Sequence, residues 1–349
     1  MQVSALLLLV ALVGLLMVRD FSIWATFTIA GLGMGMILFM AASGMNLVFG
    51  LMGVMNFGHG IFMTLGAFVG ALLLYPNLFM AFYEWAWVEN KTLYALVDLV
   101  AGILALISAG FFADNMALSL LALIVVSILI VVPVVPFAWI FERLFIRPAG
   151  RSVLVQIMLT TVGMMIFSEL CTGVIGRAVV MRPPPSFRGS WILGEVAIEK
   201  MRVLMIVFGF LVWLLLRWLL YRTRWGILVR ATVENRELVE TSGFRTRWLM
   251  MATFLLGAWL AGIGGLVWGA YQMSVAVDLG NRLLPLMFMV LVIGGLGSMT
   301  GTLLAAMMVG LITNYVAYAY PSLGVFSSVF LMMIVVLWRP DGLFPQGRN

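Results

Sequence analysis

The stretch Gly53-Val54-Met55-Asn56-Phe57-Gly58-His59-Gly60 sets an amide and an imidazole among glycines, inside an apolar run. Such side chains are costly within a bilayer unless they are satisfied or functional. Two chemistries fit. The side chains could hydrogen-bond backbone groups freed at a helix break, or they could line a translocation path. Near the other end, Val292-Ile293-Gly294-Gly295-Leu296-Gly297-Ser298-Met299-Thr300-Gly301 repeats the pattern already begun at Asn46-Leu47-Val48-Phe49-Gly50-Leu51-Met52-Gly53. Gly-interrupted hydrophobic segments at matching places in two halves point to a transporter core. Broken backbone at membrane depth is tolerated only where protein or a wet cavity satisfies it. The candidate path residues are therefore Asn56, Phe57, His59, Gly60, Gly295, Gly297 and Ser298. The plainer alternative is that these glycines only permit close helix packing, as the small-residue spacing of Gly31, Gly33 and Gly35, and of Gly66 and Gly70, also would.

Other chemistry is scarce. One histidine and one cysteine, Cys171, leave no set of ligands for a metal cage and no intrachain disulfide. No cofactor is expected. A phosphate-binding loop of the Gly-Lys-Ser/Thr type is absent, because Lys91 follows Asn90 and Lys200 follows Glu199. Any ATP hydrolysis must come from another chain. Within the apolar runs lie Asp98 near a span start, Arg217 near a span end where it can snorkel, and Glu169 deeper in its run. One deep carboxylate makes no proton relay. Clustered catalytic groups are missing too, which argues against a membrane enzyme.

The elements that would position these residues are set by composition. Of 349 residues, 64% are hydrophobic and 10% charged, against about 25% charged in soluble domains. Mean hydropathy is +1.15. A soluble enzyme, a secreted disulfide scaffold and a disordered chain are all excluded. Apolar runs cover 4–18, 21–49, 51–75, 93–112, 116–141, 153–175, 203–220, 249–271, 283–296, 301–320 and 322–338. The expectation is an all-α, polytopic membrane protein of about 9–11 helices. It forms a single transmembrane domain over 1–349, with a first half about 22–176 and a second half about 203–338. The acidic, aromatic segment 76–93 suits an interface, whereas 142–151 and 176–202 read as loops, one basic and one polar. Arginines gather in two places: Arg143, Arg147 and Arg151, then Arg222, Arg224, Arg230, Arg236, Arg245 and Arg247. Two spans separate these loops, so both face the cytoplasm by the positive-inside rule. The basic balance thus reflects a membrane, not nucleic acid.

Residues 227–241 contain neither Gly nor Pro, and apolar positions 228, 231, 238 and 241 fall at helical spacing. Gly243 is a stop signal. The segment 221–248 is expected to hold one short amphipathic surface helix, either a solvated basic face or a docking face for a soluble partner.

In order along the chain, several segments resemble LivH-type permeases, the membrane subunits of branched-chain amino acid ABC importers. They are Asn46-Leu47-Val48-Phe49-Gly50, the Gly53–Gly60 segment, Gly66-Ala67-Phe68, Glu142-Arg143-Leu144 with Arg147-Pro148, and Thr161-Val162-Gly163. Arg230-Ala231 with Asn235, Glu237 and Gly243, the 294–301 break, and Arg339-Pro340-Asp341-Gly342-Leu343-Phe344 complete the set. The Asn-Phe-Gly-His-Gly form is closer to LivH than to the sister LivM subunit. The resemblance implies a bacterial inner-membrane subunit working by alternating access. Its implied partners are a second, LivM-like permease, two cytoplasmic ATPase subunits and a periplasmic solute-binding protein. Arg230, Ala231, Asn235, Glu237 and Gly243 would form the ATPase coupling segment. The solute would be a branched-chain or other amino acid; alternatives are urea, short amides or aromatic acids, or a gradient-driven secondary transporter. Segments 76–115 and 182–202 run longer than the family pattern.

Overall fold

Long apolar stretches become helices here, even where a proline lies within them. The computed structural model describes residues 2–53, 56–75, 102–150 and 152–344. The acidic segment 76–93, Asp98, Lys91 and most of the start of the 93–112 run lie outside the described residues.

Helix α1 (Gln2–Val18) is followed by α2 (Phe21–Asn46), whose N-cap Asp20 accepts from the Ser22 and Ile23 amides. A π-helical turn, Leu47–Leu51, ends α2, and α3 (His59–Leu74) follows. Next come α4 (Gly102–Phe111), α5 (Met116–Leu129) and α6 (Val131–Phe141). Pro133 and Pro136 lack amide hydrogens, and the α5–α6 rod is interrupted beside them at Ile130. The expected basic loop 142–151 is helical as far as Ile146, because α6 runs on into a π turn at Glu142–Ile146.

Helices α7 (Val153–Val174) and α8 (Lys200–Arg222) flank the segment read as a polar loop. That segment holds three short strands: β1 (Ala178–Val180), β2 (Ser190–Leu193) and β3 (Val196–Glu199). Strands β2 and β3 form a surface hairpin. Strand β1 instead pairs antiparallel with β4 (Ser274–Ala276), Val179 opposite Val275. Val275 and the adjoining Met181 are fully buried, which is possible because the two strands satisfy each other's backbone.

The coupling segment forms α9 (Arg224–Glu234) and α10 (Arg236–Thr241). The chain finishes with α11 (Thr246–Gln272), α12 (Leu279–Gly294), α13 (Met299–Ala319) and α14 (Gly324–Trp338). Among the described residues, six helical stretches are long and apolar enough to cross a membrane: 21–50, 116–146, 153–174, 200–222, 246–272 and 299–319. This is an all-α polytopic membrane fold with little sheet.

The core is centred on α2, which packs on α13, α11, α8 and α12. Lipid is as apolar as leucine, so helices associate through close packing, not through the hydrophobic effect. Small residues supply it. A Cβ on Gly35 would stand 2.7 Å from the Ala306 carbonyl oxygen, and one on Gly31 would stand 2.8 Å from Leu311 Cα. Gly66 and Gly70 lie against Gly262 and Leu266 of α11. Gly33, grouped with Gly31 and Gly35 by spacing, turns instead toward Arg202 of α8, because a two-residue step points to another face of a helix.

Candidate functional site

The two Gly-rich breaks meet in space, and both lie on the arginine-rich side of the molecule. In the first, the chain leaves the Leu47–Leu51 turn and reverses at Gly53, whose φ of +66° suits a residue without a Cβ. It re-enters the core at Asn56. In the second, α12 stops at Gly294, Gly295 and Gly297 take φ of +92° and +82°, and Ser298 caps α13 by accepting from the Gly301 amide. Asn46, at the last turn of α2, bridges them. Its carboxamide oxygen accepts from the Gly297 amide at 2.8 Å, and its NH₂ donates to Thr302 Oγ1 at 2.8 Å. Asn46 and Thr302 are fully buried.

Carbonyls left open by the second break are met from far along the chain. The Leu343 amide donates to Ile293 O at 2.9 Å, and the Phe344 amide to Gly294 O at 3.2 Å. Gly342, at φ +85°, presses on Gly295. The Arg-Pro-Asp-Gly-Leu-Phe tail is therefore a cap on the second break.

The first break is satisfied differently. Phe57 N donates to Thr160 Oγ1 of α7 at 3.1 Å, and His59 N to Asn56 O at 3.3 Å. The side chains of Asn56 and His59 do not contribute. Both are buried, His59 completely, and neither has a hydrogen-bond partner among the described residues. The expectation that they hold the broken backbone is not met, since a threonine on a neighbouring helix does that work. His59 instead lies beside Gly44 of α2, where α2 crosses α11 at Gly257. Its ring stands edge-on to Phe62 at 5.8 Å, and Phe62 in turn meets Phe141 and Phe254 at 5.6 and 5.7 Å.

Helix α12 joins the group from its two ends. Gly60 abuts Gly280 in the first turn of α12, and the Gly280 amide donates to Thr64 Oγ1 at 2.9 Å. Phe49 and Phe57 flank Phe288, centroids 6.4 and 6.3 Å away. The structure thus brings Phe57, Gly60, Gly295, Gly297 and Ser298 around α12 and the neighbouring ends of α2 and α13. Asn46, Thr64, Thr160 and Thr302 belong to the same constellation. Sequence reasoning passed over them as site residues, although Asn46 carried the same signal as Asn56, an amide in an apolar run.

Glu169 lies elsewhere. It is exposed on the outer face of α7, beside the exposed Met165, Ile166 and Leu170. Arg217 is exposed and lies over the Trp213 ring at 5.5 Å.

The coupling segment is two helices, not one over 227–241. Asn235 breaks it with extended backbone (φ −150°, ψ 96°) and caps α10 by accepting from the Leu238 amide at 3.0 Å. Asparagine favours such caps over helix interiors because its side chain competes for backbone groups. The buried stripe is Gly226, Val229, Thr232 and Val239, not the expected 228, 231, 238 and 241; Leu238 is 64% exposed. Arg230 lies over the Tyr221 ring at 4.7 Å. Ala231 is half-buried, Glu237 is exposed in the first turn of α10, and Gly243 turns the chain at φ +87°. Thr246 and Arg236 both engage the Glu240 carboxylate, and these bonds hold it below the usual carboxylate range. Val229, Thr232 and Val233 share a small cleft with Met52 of the first break and Thr253 of α11.

Several relatives match the chain over most of its length. LivH of Salmonella typhimurium, a high-affinity branched-chain amino acid transport system permease protein, is 24% identical over 89% of this chain and 94% of its own. BraD of Pseudomonas aeruginosa, of the same description, is 24% identical over 90% and 93%. A probable LivM permease of Methanocaldococcus jannaschii is 23% identical over 86% and 88%. No solved structure matches the chain. The family described as branched-chain amino acid transport system, permease component, matches residues 27–338, and the chain, a multi-pass membrane protein with its two breaks joined through Asn46, belongs to that family.

Proposed function

We propose that the chain is the LivH-like permease subunit of an ATP-driven importer for a branched-chain or similar amino acid in a bacterial inner membrane. It pairs with a LivM-like permease, two ATPase subunits and a periplasmic solute-binding protein, and it hydrolyses no ATP itself. What carries this reading is the physical continuity from the arginine-rich surface to the breaks. Helix α9 packs on the π turn that ends α2, and its Val229 and Thr232 meet Met52. From there Asn46 fastens the first break to the second. Movement of α9 and α10 by a docked ATPase would therefore reach both breaks over a short distance.

On this reading the halves 22–176 and 203–338 form one domain whose breaks gate the cytoplasmic mouth of the path. Asn56 and His59 fit polar groups held for a passing solute, because they are buried and have no hydrogen-bond partner among the described residues. A buried polar group without a partner costs about 1–3 kcal/mol, a cost that transient solute or water contacts would offset. Leu238, Val233 and Phe244 present exposed apolar surface beside Glu237, which suits ATPase docking. Purification from the native host tests the assignment. ATPase chains are expected to copurify, and disabling their hydrolysis should abolish uptake. Uptake that survives that change would overturn it.

A further inference from the structure

The outer surface carries a cavity of about 250 Å³ between the end of α6 and the start of α11, lined by Trp139, Arg143, Arg147, Arg247, Trp248 and Met251. Its parts come from places a hundred residues apart, and they form an amphipathic pocket that combines three guanidiniums with two indoles and a thioether. Arg147 Nη2 forms an ion pair with Glu142 Oε2 at 3.6 Å, whereas no carboxylate pairs with Arg143 or Arg247 among the described residues. Arg143 is held over the Trp139 ring at 5.4 Å, which orients it without neutralising it. The mouth adjoins apolar side chains that face outward: Val132 and Ile140 of α6, Leu144, and the 65% exposed Trp248. Tryptophans at helix ends mark the headgroup level of a bilayer.

We propose that this pocket binds the phosphodiester of an anionic diacyl phospholipid, with its acyl chains lying along Val132 and Ile140. A planar guanidinium matches a phosphate bidentately, and basic pockets between helices on the cytoplasmic side suit acidic headgroups. The outward apolar flank and the two exposed indoles favour a lipid over a soluble protein. The inference goes beyond the transport reading and does not depend on it.

The test is lipid retention by the intact purified complex in nanodiscs of phosphatidylglycerol and phosphatidylcholine, counted by native mass spectrometry. Phosphatidylglycerol should be retained preferentially. Each guanidinium near an acidic lipid is worth roughly fivefold in affinity, so replacing Arg143, Arg147 and Arg247 together by Gln should cut the preference roughly a hundredfold. The triple Lys variant should keep part of it, since the charge stays while the bidentate fit is lost. Arg247→Gln alone, an exposed first-turn change, should lower it about fivefold and guards against a triple variant that does not fold. Equal retention of the two lipids, or an undiminished preference in the Gln variants, would overturn the proposal. So would displacement of the lipid by inorganic phosphate, which marks a free-anion site. Loss of an ATPase chain with lipid preference intact would also overturn it and make the face a protein contact.

Discussion

At the scale of single residues, Asn46 carries more of the assembly than its size suggests. Replacing it with Leu removes the acceptor for the buried Gly297 amide and the donor to Thr302. The orphaned amide should cost about 1–3 kcal/mol, read as a lower unfolding midpoint in detergent. A cycle with Thr302→Val should give a coupling of about 0.5–3 kcal/mol; strictly additive effects would count against the bridge. His59→Leu should leave expression intact and impair uptake, since no hydrogen bond is lost. If the variant misfolds, His59 serves packing against Phe62 and α2. The sequence marked Asn56 and His59 because polar residues stand out in apolar runs. It could not tell which polar groups are paired, since the partners Thr160 and Thr302 lie a hundred residues or more away.

Helices set the next scale, and here glycine positions separate into tight and open. Gly35→Leu would drive a side chain into the Ala306 backbone of α13. Overpacking should cost about 1–3 kcal/mol or more, seen as reduced folded yield. Gly173→Ala meets nothing within 4 Å and should stabilise α7 by up to about 1 kcal/mol. Equal tolerance of the two would deny that the α2–α13 crossing is close. On α10, Glu237→Arg reverses a charge on the proposed docking face without touching a buried group. Insertion should be normal, and stimulation of the ATPases should fall severalfold, measured as hydrolysis in the reconstituted complex; undiminished stimulation would remove the coupling role from this face. The spans were legible because hydropathy over twenty residues is a strong signal. The division at Asn235 was not, since a capping asparagine and an interior one look alike in a helical pattern. The β1–β4 pair was hidden for another reason: its strands are three residues long and nearly a hundred apart.

For the molecule as a whole, alternate crossing by α7 and α8 puts the β2–β3 hairpin opposite the arginine-rich segment. In a Cys171→Ala background, Ile192→Cys on the hairpin and Leu238→Cys on α10 should label from opposite faces with a membrane-impermeant maleimide. Both side chains are exposed, Ile192 by 77%. Labelling from one face would break the orientation on which the gating side rests. Charge asymmetry made this level readable from the sequence, whereas the meeting of the two breaks was not, because no local pattern records a contact between residues 46 and 297.

The tail cap has a bearing on biogenesis. The carbonyls of Ile293 and Gly294 accept from the Leu343 and Phe344 amides. Until the ribosome has delivered that stretch, α13 and α14 can already be inserted while the junction before them still exposes unbonded backbone. The cap on the second break thus arrives after the helices that follow that break. Any quality-control system that recognises unfinished membrane chains would find its mark at residues 293–297, and the arrival of Gly342-Leu343-Phe344 would conceal it.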